Sequence, residues 1–191
     1  MHTLILSLVA CSPAADEEPV APTDTAPAPA LSSTGDTAPP PPVDPGTADP
    51  LEICINEFMP ANTTSLMVDE EFPDWIELHN PGKVPIDLFG YSITDDRDDW
   101  RRHVFNVSLE VPAGGFLLLY ADAQEGLGPE HLPFSLNQQG EVLALYREDG
   151  SGEVLDYGKV IDDLAVVRHT DCGPIDTWIH VAGGTPGSTN E

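Results

Sequence analysis

The chain has 191 residues, with seven Lys or Arg against 33 Asp or Glu and a formal net charge of −26. A surface so poor in cations cannot displace the counterions of a phosphate backbone, which argues against nucleic acid as a partner. The length allows one ordinary domain plus additional chain, and the composition shows where the two divide.

Residues 1–11 form a short apolar run, Met1 to Ala10, that ends in Leu8-Val9-Ala10-Cys11. That ending resembles the lipobox of bacterial lipoprotein signal peptides, although no Lys or Arg precedes the apolar run. The resemblance implies Cys11 as the lipid-attachment residue and the membrane as the partner of the N-terminus. It implies an address in the bacterial cell envelope. Ser12 rather than an acid follows Cys11, which favours the outer membrane or cell surface; simple secretion is the alternative.

Residues 12–50 hold 11 of the 20 prolines and seven acids, with no aromatic residue and no Lys or Arg. Such a segment buries too little apolar surface to offset the entropy of ordering it, so it reads as a disordered tether. Fully extended at ~3.1 Å per residue it would reach about 120 Å.

All Phe, Trp and Tyr residues lie between Phe58 and Trp178, so residues 51–191 are the foldable domain, with a net charge of −19. Leu51–Phe58 alternates and reads as a first strand, and Asp74–Asn80 as a second, with Ile76 and Leu78 on one face and Trp75, Glu77 and His79 on the other. Asn80-Pro81-Gly82 supplies turn chemistry. Ile86 and Leu88 are out of phase with Tyr91 and Ile93, and a bulge at Gly90 would reset the register. Further strands are expected at Val104–Val107, Gly115–Ala121, Val142–Arg147 and Val154–Ile161, with a hairpin at Asp149–Gly152. Phe116–Tyr120 is apolar without alternation, the pattern of a central strand covered on both faces. No helical periodicity lasts three turns. The expected fold is an all-β sandwich.

The ordered set Ile55-Asn56-Glu57, Asp74–Asp96, Leu109–Leu119, Phe134–Leu136, Arg168, Trp178 and Thr185–Asn190 resembles the lamin-tail domain family. The resemblance implies an immunoglobulin-like β-sandwich. In bacteria such domains are accessory modules on exported and surface proteins, so the implied function is an envelope-anchored binding or structural module with an unknown protein or glycan partner.

The candidate chemistry is sparse. Cys54 and Cys172 are a candidate disulfide, the alternative being two independent thiols. Asp95, Asp96, Asp98 and Asp99 are weak candidates for Ca²⁺, the basis of an alternative reading as a Ca²⁺-dependent adhesion or glycan-binding module. Trp100 stands where an EF-hand would place an acid, and the loop glycine is missing. No other cofactor is expected. His79, His103, His131, His169 and His180 lie in no catalytic motif and read as surface or strand-edge residues. The chain therefore reads as a non-enzyme, with an exported hydrolase as a minor alternative.

Overall fold

The computed structural model describes residues 52–124 and 126–190. The signal-like segment, Cys11 and the tether lie outside the described residues.

Among those residues the fold is all-β, with strands β1 (Cys54–Met59), β2 (Asp74–His79), β3 (Ile86–Asp87), β4 (Ser92–Thr94), β5 (His103–Val104), β6 (Glu110–Val111), β7 (Phe116–Ala121), β8 (Val142–Tyr146), β9 (Gly152–Asp156), β10 (Leu164–Arg168) and β11 (Trp178–Ala182). They form a five-stranded sheet in the order β11-β10-β1-β2-β7, a four-stranded sheet in the order β5-β4-β8-β9, and a small pair, β3-β6. All pairings between these strands are antiparallel. Ile55, Phe58, Ile76, Leu78, Leu119 and Val166 of the first sheet share one core with Ile93, Leu143, Leu145 and Leu155 of the second. This is the sandwich that alternation implies: each sheet hides an apolar face against the other.

Two sequence expectations about the sheets are corrected. Phe116–Tyr120 lies in β7, which is the last strand of its sheet and not a central one. Its continuous apolar run is explained by partial covering, since Tyr120 N donates to Glu130 O (2.8 Å) and Leu132 N to Tyr120 O (2.8 Å), so a passing segment shields the strand end. Gly90 marks a turn and not a bulge: Tyr91 N donates to Leu88 O (2.8 Å), and the chain passes there from β3 to β4, which belong to different sheets. Its φ of +87° suits glycine. The bulge instead lies in β1, where the register with β2 shifts between Ile55 and Glu57. Asn56 is the extra residue, so Ile53, Ile55 and Phe58 all reach the core while Glu57 turns to the opposite face. Several strand ends also differ: β1 starts at Cys54 and β9 stops at Asp156.

The outer face of the five-stranded sheet is partly covered. Met59, Trp75, Ala165 and Val167 form a second apolar cluster there, packed by Leu66, Leu118, Tyr120 and Val181. Gly184 also comes against this face, its backbone close to Trp75 and Ala165.

Candidate functional site

The bulge brings the family-like motifs together. Glu57 and Glu77 are cross-strand partners on the outer face, and both are fully buried. Like charges in that position repel, and each carboxylate is met by donors from the end of the chain. Thr185 N donates to Glu57 Oε1 (2.9 Å), and Thr185 Oγ1 lies 2.8 Å from Glu57 Oε2. Gly187 N donates to Glu77 Oε2 (2.6 Å). Asn56 Nδ2 donates to Glu77 Oε1 (3.0 Å) and to Asp171 Oδ1 (3.1 Å), while Asn56 Oδ1 accepts from Cys172 N (3.1 Å). Asn190 closes the ring, its N donating to Asp171 Oδ1 (2.9 Å).

Local chemistry explains the strap. Thr185-Pro186-Gly187-Ser188 is a turn with Ser188 N donating to Thr185 O (2.9 Å), Pro at its second position and Gly187 at φ +77°. Burial, the largest effect, raises both acids above the usual carboxylate range, Glu77 to about 7. The neighbouring charge of Asp171 adds to this at both, and that of Glu57 adds at Glu77, against the hydrogen bonds.

Cys54 and Cys172 are joined by a disulfide across 118 residues of sequence. It pins the loop carrying Asp171 to the start of β1. Beside it, Arg168 Nε donates to Ile55 O (2.7 Å), Arg168 Nη1 donates to Gly173 O, and Arg168 Nη2 pairs with Glu153. Glu153 Oε2 accepts from Ile55 N (2.9 Å). A buried ion pair between β9 and β10 thus supplies both hydrogen-bonding partners that the bulged strand lacks on that side. Arg168 also lies over the Trp178 ring, 4.8 Å from its centroid.

The acidic loop is organised differently from a cation site. Asp95 Oδ1 lies 2.7 Å from Arg102 Nη1. Asp96 Oδ1 accepts from Asp98 N (2.9 Å), and Asp99 Oδ1 from Arg101 N (3.3 Å). Trp100 packs edge-on against Tyr146 at 5.7 Å, and its carbonyl accepts from Ser92 Oγ (2.9 Å). The loop folds over the outer face of the four-stranded sheet. Among the described residues no group of three or more His, Cys, Asp or Glu side chains is placed to hold a metal ion.

The histidines and tryptophans separate into distinct roles. His79 is buried, against the surface or edge expectation; it stacks on Phe116 and its Nδ1 donates to Gly115 O (3.0 Å). Trp75 is core. His131 Nδ1 lies 2.6 Å from Asp122 Oδ2, in a cleft of about 410 Å³ that also takes in Asp69, Glu71, Phe72 and Asp74. Burial raises Asp74 to about 6. Arg168, Glu153, Asp171 and Asp122 had no local sequence signal pointing to these partnerships. The odd spacing from Ile55 to Phe58 was the one signal of the bulge that organises the network.

The family profile described as Lamin Tail Domain matches residues 47–162, more than half of the chain, and the chain belongs to that family. No curated protein and no solved structure gives a significant match. The family is one of immunoglobulin-like structural modules, and the all-β fold agrees with it.

Proposed function

We propose that this lamin-tail domain is a binding or structural module held at the bacterial cell envelope, with Cys11 as the lipid-bearing residue and residues 12–50 as its tether. The observation that carries the module reading is the state of Glu57 and Glu77. A close pair of carboxylates can perform acid–base chemistry only if a substrate reaches it. Here both are fully buried and occupied by Asn56 and the Thr185–Gly187 strap. Asn56 and the Thr185–Gly187 strap close this pair off, and what the domain offers to partners is its surface.

The anchoring half of the reading rests on Leu8-Val9-Ala10-Cys11 and on the proline-rich composition that follows. Membrane fractionation of the full chain tests it. The wild-type protein should partition with membranes and Cys11→Ala should become soluble; unchanged membrane association of the variant would remove the lipid anchor.

A further inference from the structure

The free edge of the five-stranded sheet meets an aromatic pocket. β11 is the terminal strand of its sheet, and among the described residues nothing pairs with its outer side. In an antiparallel ladder, successive residues point their backbone groups alternately toward and away from the neighbour. His169 N donates to Thr177 O (3.1 Å) and Gly183 N to Asp163 O (2.9 Å), at the two ends of the β10–β11 register. Those bonds set the phase. Ile179 and Val181 turn their backbone groups to β10, and Trp178, His180 and Ala182 turn theirs outward.

Exposed edges are usually protected by charged residues, proline or a bulge. β11 has none: its sequence is Trp-Ile-His-Val-Ala, and its register with β10 is continuous. The neighbouring edge strand β9 is different, because it ends in Asp156, which is paired with Arg97.

Trp178 and His180 also line a cavity of about 240 Å³ whose walls include Phe58, Tyr157, Val160 and Val166, and whose charged lining is Asp156 and Lys159. The Phe58 ring lies 4.8 Å from Tyr157 and 5.6 Å from Trp178, so the walls are an aromatic cluster opening between β9 and β11. An added strand would draw affinity from the backbone groups of β11 and selectivity from one side chain entering this pocket.

We propose that β11 takes up an extended segment of a partner protein, with one aromatic or large aliphatic side chain in the pocket and Lys or Arg beside it. Charge selects this occupant over a second copy. Residues 51–191 carry −19, so two heads edge to edge would repel, whereas a basic strand is attracted. This builds on the reading of the head as a binding module, but does not depend on Cys11 or the membrane.

The test uses the full chain and a blocked heptapeptide of alternating lysine and valine, with phenylalanine replacing the middle valine. Calorimetry should show binding, and NMR should show new amide protection at Trp178, His180 and Ala182. A counterpart with glutamate for lysine should bind at least tenfold more weakly. His180→Pro removes an outward N–H that the sheet does not use, so it should abolish binding while retaining near-UV dichroism. A Cβ at Gly158, on the pocket wall, would meet nothing within 4 Å. Gly158→Phe therefore has room to place a ring at this wall, and should weaken binding at least tenfold without unfolding. Absence of binding, binding indifferent to both substitutions, or equal affinity for the acidic peptide overturns the proposal. So does protection of the three amides in the free monomer, which would mean that the chain covers its own edge. A dimer dissolved by His180→Pro would assign the edge to a second copy.

Discussion

Glu57 and Glu77 lie directly opposite each other on β1 and β2, and the chain's terminal segment supplies Thr185 and Gly187 to hold them. The pair works as a buried clasp. Burial raises both carboxyls above their ordinary values, and this gives a signed expectation. When a folded-state carboxyl pKa lies above the unfolded value, stability is greatest below the unfolded pKa and declines as pH rises through the folded one.

For Glu77 the window runs from its ordinary 4.5 to about 7, and for Asp74 from 3.8 to about 6. Unfolding free energies from denaturant titrations should fall as pH increases from about 5 to 7.5, by on the order of 2 kcal/mol for Glu77 alone. Glu77→Gln should flatten that slope. Below about pH 4 the sense reverses through Asp163, which is held below its ordinary 3.8 by hydrogen bonds, first from the Thr63 side chain. A slope unchanged by Glu77→Gln would reject the assignment.

Gly184 and Gly187 both have positive φ, +67° and +77°, but different neighbours. A Cβ at Gly187 meets nothing within 4 Å, whereas one at Gly184 would collide with Glu57 Oε1 and approach Trp75 to 3.0 Å. Gly187→Ala should cost about 1–2 kcal/mol from backbone strain alone. Gly184→Ala should cost more and alter Trp75 fluorescence by lifting the strap. Thermal melts and emission spectra of the two variants separate these outcomes.

Arg168 and Glu153 stand in for a missing strand beside Ile55. Removing one partner leaves a buried charge and an orphaned backbone group, so Arg168→Met should cost about 3–5 kcal/mol. Adding Glu153→Met should be non-additive, with a coupling of roughly 0.5–3 kcal/mol. The double variant should remain less stable than wild type, because Ile55 N and O stay unsatisfied. A double-mutant cycle by chemical denaturation measures both quantities.

The Cys54–Cys172 bond closes a span of 118 residues. Reduction, or Cys172→Ser, should lower stability by about 2–5 kcal/mol. Proteolysis should then reach the loop around Asp171 first, since the disulfide ties that loop to the start of β1 and its loss leaves the loop to hydrogen bonds such as those from Asn56 and Asn190.

Millimolar Ca²⁺ followed by chelation should leave the melting midpoint unmoved, because Asp95, Asp96 and Asp99 already serve Arg102 and the loop's own amides. A clear upward shift with Ca²⁺ would restore the Asp95–Asp99 loop as a metal site.

Much of the fold is legible residue by residue. The alternation in β2, the turn chemistry at Asn80–Gly82 and the hairpin at Asp149–Gly152 depend on neighbours in sequence, so they can be read without the fold. Phe116–Tyr120 misleads for a complementary reason: continuous apolarity reports burial on both faces but not position within the sheet, and a passing loop covered part of an edge. At Gly90 the phase change was visible, but whether it meant a bulge or a change of sheet depended on which strands Ile86 and Ile93 would meet.

By itself, then, the sequence determined the all-β class, the approximate strands, the acidic surface and the family resemblance, because these follow from local periodicity and composition. Only the tertiary structure decided that Glu57 and Glu77 meet, that Arg168 completes β1, and that Thr185–Asn190 straps the outer face. Those pairings join residues about 20 to more than 120 positions apart. They depend on one inserted residue, Asn56, shifting the register of β1, and register exists only once the strands have paired.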